Sequence, residues 1–161
     1  MTDEERCYAA ALRILDFRFN GEVELRRKLA AKRFDRDLIA ATLDRLRREK
    51  WLDDERFAAS FVRTRQQKQI GRSRIRRELM AAGVANDVAE RAVRENADPD
   101  REREALVKVC EKRVRALQRR HGEHVLETPE GRKKLASYLL KQGYDSALIS
   151  SVIKELPVVD D

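Results

Sequence analysis

One ladder of apolar residues is written three times along this chain, and it constrains the architecture more tightly than any single motif. Leu25, Leu29, Phe34, Ile39 and Leu43 are separated by 4, 5, 5 and 4 residues. Ile75, Leu79, Val84, Ala89 and Val93 repeat that spacing, as do Leu135, Leu139, Tyr144, Ile149 and Ile153. A step of four keeps two side chains on one helix face, whereas a step of five spans a tight connection, so each ladder predicts helix, short turn, helix. The copies start 50 and 60 residues apart, which leaves room for one more helix before each pair. The expectation is an all-α, elongated array of three tandem three-helix units over residues 1–50, 51–97 and 98–161.

Composition suits such an array. Charged residues make up 40% of the 161 and aromatics 6%, too little apolar material for one large core but enough for slender units that each bury a narrow stripe. Lys and Arg (36) outnumber Asp and Glu (29), giving a net charge of +7, which directs the chain toward polyanions or acidic protein surfaces. Cys7 and Cys110 fall within helical patterns without ligand spacing and read as small core residues in a reducing compartment. No apolar run is long enough to cross a bilayer, and the N-terminus is acidic before it is apolar, unlike a secretory signal. A cytoplasmic protein with no membrane partner is expected.

Local signals place the helices. Tyr8, Leu12, Leu15 and Phe19 form a stripe on the first, which Asn20-Gly21 should stop by tolerating positive φ. Asp35 or Asp37 can cap the third, which runs to about Lys50. After Trp51, Asp53 can cap the fourth helix, Asp54 and Glu55 suit its positive end, and Leu52 can staple onto Phe57. Gly71 breaks that helix, Ser73 can cap the next, and Gly83 and Gly143 supply the turns of the second and third ladders. Asp98-Pro99 opens the seventh helix, with Leu106, Cys110, Val114 and Leu117 on its stripe. His121-Gly122 ends it, residues 122–127 form the longest loop, and Thr128-Pro129 restarts the chain.

Arg63, Arg65, Lys68, Arg72, Arg74, Arg76 and Arg77 place seven cations in 15 residues with no acid among them. Acids and bases interleave elsewhere, so this run is the first candidate partner-binding surface. A second cluster, diluted by Glu111, comprises Lys108, Lys112, Arg113, Arg115, Arg119 and Arg120. The helical hairpins invite comparison with DNA-reading helix-turn-helix units, but the candidate recognition helices, 86–95 and 146–155, are poor in the bases and amides that read a major groove. His121 and His124 lie three apart around a glycine with no third ligand nearby, which fits a loop rather than a metal site. Asp53 and Asp54 are accounted for by capping, and the chain has no phosphate-binding loop, dinucleotide fingerprint or nucleophile elbow. A binding protein without catalytic residues, metal or cofactor is the expectation.

The segment Trp51-Leu52-Asp53-Asp54-Glu55-Arg56-Phe57-Ala58, with Arg63, Arg65 and Gly71-Arg72-Ser73-Arg74-Ile75-Arg76-Arg77-Glu78-Leu79, closely resembles the RecX family of bacterial recombination regulators. The likeness extends through Glu24-Leu25-Arg26-Arg27-Lys28-Leu29 and Leu139-Leu140-Lys141-Gln142-Gly143-Tyr144. It implies a monomeric modulator of RecA, built from three three-helix units, that binds the RecA nucleoprotein filament and restrains its growth, ATP hydrolysis and strand exchange. The alternative is a nonspecific DNA-binding accessory protein whose cations meet single-stranded or double-stranded phosphates, though few aromatics fall outside the apolar stripes to stack on bases. Two positions depart from the pattern. Arg33 stands where the other copies have Gly83 and Gly143, so its turn must change geometry or hold Arg33 in a less favoured conformation. The second helix also starts at Gly21-Glu22, where the family often offers a serine cap.

Overall fold

The computed structural model describes residues 1–156; the last five residues of the third expected unit, 157–161, lie outside the described residues. Nine α-helices and one short 3-10 helix make up the described chain, with no strand among these residues. They form tandem three-helix repeats: α1 (Asp3–Phe17), α2 (Glu22–Ala31) and α3 (Arg36–Arg48); α4 (Asp54–Gln67), α5 (Arg72–Ala81) and α6 (Asn86–Asn96); α7 (Pro99–His121), α8 (Pro129–Lys141) and α9 (Ser146–Lys154). The chain groups into two compact units, Met1–Phe61 with Arg76–Glu95, and Val62–Ile75 with Asn96–Asp161.

In the first unit, α1 opens with a capping box in which the Thr2 hydroxyl accepts from Glu5 N–H and the Glu5 carboxylate accepts from Thr2 N–H, satisfying two orphan donors at once. Cys7 and Ala11, rather than the larger residues of the expected stripe, are the fully buried positions of α1; Tyr8, Leu12 and Leu15 pack at the edge of a core made by Leu25, Leu29, Ile39, Leu43, Leu46 and Leu52. Two small side chains let the helices approach closely, which is why the centre of the stripe moves to them. Phe19 lies beyond α1 and stacks on Phe57 at 3.4 Å between ring centroids, while Leu52 enters the first core, so the expected Leu52–Phe57 staple is replaced by these two contacts. Asp53 does cap α4, its Oδ1 accepting from Arg56 N–H at 3.0 Å. Asp35 occupies the cap position of α3 without a side-chain hydrogen bond, and α3 ends at Arg48, two residues short of Lys50.

The second unit has its own core of Leu106, Cys110, Val114, Leu117, Leu135, Leu139, Tyr144, Ile149, Val152 and Leu156. Asp98 caps α7 with Pro99 in the first turn, Thr128 caps α8 through Gly131 N–H, and Asp145 caps α9 through Leu148 N–H. The loop after α7 contains a 3-10 turn, Val125–Glu127, whose Val125 and Leu126 are buried in that core. Burial pushes the Cys110 thiol up to about 11, so it stays protonated and inert.

Several glycines do a different job from the one their sequence context suggests. Gly21 has an ordinary φ of −68°, not a positive one. It is required because a Cβ there would collide with the Gly83 carbonyl, at a junction where Gly21 N–H donates to Ala82 O (3.0 Å) and Val23 N–H to Gly83 O (3.1 Å). The same junction recurs in the second unit: Gly71 N–H donates to Gln142 O (2.9 Å), Ser73 N–H donates to Gly143 O (3.1 Å), and a Cβ on Gly71 would strike the Gly143 carbonyl. Ser73 is therefore inside α5 with its N–H spoken for, and the cap position belongs to Gly71. The positive φ after α4 falls on Gln69 (61°), whose carbonyl accepts from the Tyr144 hydroxyl at 2.8 Å. Gly131, the matching position of the third repeat, packs instead against the backbone of Val125. The 3-10 turn thus fills the place where a following repeat would dock. In the first repeat, Arg33 holds φ 67°: the turn keeps its left-handed geometry, and the Arg33 side chain is exposed among the described residues.

Candidate binding surfaces

Acids of each following repeat reach back to these junctions. Asp54 Oδ2 accepts from Glu22 N–H at 3.0 Å, which caps α2 rather than α4. Its half-buried position raises the carboxyl pKa, chiefly through desolvation. Glu102 is 3% exposed and meets Arg72 Nε at 2.7 Å, and here too desolvation raises the carboxyl pKa while Arg72 opposes the shift. Arg74 donates to Gln142 Oε1 at 3.3 Å. Two members of the seven-cation run therefore serve the junction with the third repeat.

The other members differ in setting. In the second unit, Arg63 is exposed and donates to Asn96 Oδ1 at 3.3 Å, Arg65 is half-buried, and Lys68 is exposed with no ion pair among the described residues. In the first unit, Arg77 is exposed and Arg76 half-buried, again with no ion pair among the described residues. Lys68, Arg76 and Arg77 are thus the cations of the run with neither an ion pair nor a side-chain hydrogen bond among the described residues.

The second cluster divides by helix geometry. Lys108, Lys112, Arg115 and Arg119 are all exposed, and their spacing of 4, 3 and 4 puts them on one narrow stripe of α7 roughly 16 Å long. Arg113 and Arg120 point away from that stripe, toward α8. There they meet Lys133, Lys134 and Lys141, which the sequence reading missed because they alternate with the apolar ladder of α8 and look like its solvated face. His121 joins them, and its pKa is lowered by desolvation first and then by Lys134, Arg120 and Arg113. His124 pairs instead with Glu127, and that hydrogen bond raises its pKa. No group of three or more His, Cys, Asp and Glu residues that could hold a metal occurs among the described residues, and no helix there is long and apolar enough to cross a membrane.

Fold and surfaces together define a basic tandem helical-repeat protein whose prominent exposed chemistry is cationic. The profile of the RecX second three-helix domain matches residues 53–93, and that of the RecX first three-helix domain matches residues 7–46. The regulatory protein RecX of Clostridium perfringens (strain 13 / Type A) is 30% identical over 151 residues, spanning 94% of this chain and 68% of the relative. That of Serratia proteamaculans (strain 568) is 30% identical over 167 residues, spanning 90% and 94%. The fold matches the crystal structure of RecX from Lactobacillus salivarius with a TM-score of 0.79 at 24% identity over 98% of both chains. The chain belongs to the RecX family.

Proposed function

We propose that this protein modulates the RecA recombinase, binding the RecA nucleoprotein filament and limiting its growth, ATP hydrolysis and strand exchange. The observation that carries the reading is the pairing of RecX family membership with cations, Lys68, Arg76 and Arg77, that lack acidic partners among the described residues. An arginine already paired with a buried glutamate has little left to offer a partner, whereas an unpaired one adds attraction and speeds encounter with an acidic surface. The protein acts as a cytoplasmic monomer without a catalytic step or cofactor. It works by binding one filament state better than another, since only unequal affinity shifts an equilibrium.

A nonspecific DNA-binding reading has its own support in the exposed Lys108, Lys112, Arg115 and Arg119 stripe, which suits a row of phosphates. RecA's DNA-dependent ATPase, with a variant that spares the junction, separates these three cations from the α7 stripe. Lys68→Glu, Arg76→Glu and Arg77→Glu together should raise the concentration needed for half-inhibition at least tenfold, with the thermal midpoint near wild type. Unchanged inhibition by the folded triple variant, with loss on charge reversal of the α7 stripe, would move the function to α7.

A further inference from the structure

A groove of about 740 Å³ runs between α7 and α8 of the third repeat. The two helices are antiparallel along it: His121 Nε2 lies 3.5 Å from Lys134 Nζ at one end, and the Arg113 guanidinium lies 4.4 Å over the Tyr138 ring at the other. Ala116, Leu117 and the Tyr138 ring form an apolar floor. Cations line both rims. Arg113 and Arg120 are seven residues apart on α7, and Lys134 and Lys141 are seven apart on α8, roughly 10 Å in each case. Glu130 is the one acid lining the groove among the described residues.

We propose that this groove docks an acidic amphipathic helix of a protein partner, with its apolar face on the floor and carboxylates two turns apart reaching both rims. A helix is the occupant whose own charges can repeat at the seven-residue spacing of both rims. The apolar floor adds nothing to the binding of a phosphate backbone. Base stacking is also disfavoured, because Arg113 already covers one face of Tyr138. The design recurs at the corresponding place in the first repeat, where a smaller groove of about 280 Å³ between α1 and α2 has Ala10, Ile14 and Phe17 as apolar lining and Arg13, Lys28 and Lys32 as cations. The inference stands apart from the RecA assignment, because it uses no property of RecA.

The test is fluorescence anisotropy on the full chain with a labelled helical peptide of about five turns, carrying a Leu/Ala stripe flanked by Glu pairs seven residues apart. Saturable binding is expected, at least tenfold weaker in a Lys134→Glu, Lys141→Glu variant whose circular dichroism matches wild type. The same peptide with Lys in place of Glu only on the flank that meets α8 should recover affinity on that variant. Arg36→Glu with Arg48→Glu makes the same charge change at exposed positions of α3 and should shift affinity less than threefold. The His121 imidazole, held low by its desolvation and its cationic neighbours, should titrate at higher pH once carboxylates line the groove. Equal loss in both double variants would overturn the proposal in favour of bulk charge. Failure of the peptide, with oligo-dT binding lost in the α8 variant, would assign the groove to a nucleic-acid backbone. Self-association in sedimentation that the same variant abolishes would assign it to a second copy.

Discussion

Replacing Gly21 by alanine isolates the close approach between repeats from every other property of glycine. At φ −68° and ψ 163° an alanine suffers no backbone strain, so a folded-state cost beyond the capping preference must come from the added methyl group. That group would sit inside the Gly83 carbonyl, and backbone rather than a flexible side chain would have to move. Overpacking of this kind costs about 1–3 kcal/mol. If the junction instead opens, Gly21 N–H to Ala82 O and Val23 N–H to Gly83 O are lost, at about 1 kcal/mol each. Alanine at a helix N-cap adds about 0.5–1 kcal/mol relative to glycine. The total is about 3 kcal/mol, which for a chain of this length lowers the thermal midpoint by about 6–12 °C. Asp35→Ala is the control, because Asp35 is exposed, holds a similar extended cap conformation (φ −65°, ψ 147°) and makes no side-chain cap hydrogen bond; as a change of N-cap residue with no close approach it should cost only about 0.5–1 kcal/mol. Differential scanning calorimetry on both variants reads the difference. If Gly21→Ala proved no worse than Asp35→Ala, the crowded junction would have to be abandoned as a source of stability.

Arg33→Gly should leave the protein as stable or raise its thermal midpoint by a few degrees, because it relieves the φ of 67°, which costs a side-chain-bearing residue about 1–2 kcal/mol, against a smaller loss of chain entropy. Asp54→Asn keeps an oxygen for the Glu22 N–H and should be within about 0.5 kcal/mol of wild type near pH 7. Because burial raises the Asp54 pKa above the ordinary aspartate range, the ionised group opposes folding above its folded pKa. Wild type should therefore gain on Asp54→Asn in denaturant melts as pH falls toward that value. In histidine NMR titrations, His121 should titrate below 6.5 and His124 above it. The His121 shift works against folding as the ring protonates, and the His124 shift works for it until pH rises through its raised pKa.

The repeat architecture was legible because burying one helix face leaves a period in the sequence, and all three ladders carry it. Leu25, Leu29, Ile75, Leu79, Leu135 and Leu139 are all buried in the structure. Caps at Asp53, Asp98 and Thr128 were legible for a similar reason: their side chains bond within a few residues of themselves. The junctions were not. They are made of backbone groups and of glycines chosen for what they lack, so Gly21 reads as a helix stop until the Gly83 carbonyl is seen against it. Gln69 takes a left-handed conformation that its side chain does not announce. The cationic run was visible as charge, but the diversion of Arg72 to Glu102 and Arg74 to Gln142 depends on partners 30 and 68 residues away.

The central claim, that this chain acts on the RecA filament, is tested most directly by titrating it into RecA ATPase assays at several single-stranded DNA concentrations. With RecA fixed and filaments saturated, the account predicts that half-inhibition follows the amount of filament and does not rise with further DNA. Inhibition relieved in proportion to added free DNA, whatever the filament concentration, would contradict it and leave a protein that competes for DNA alone.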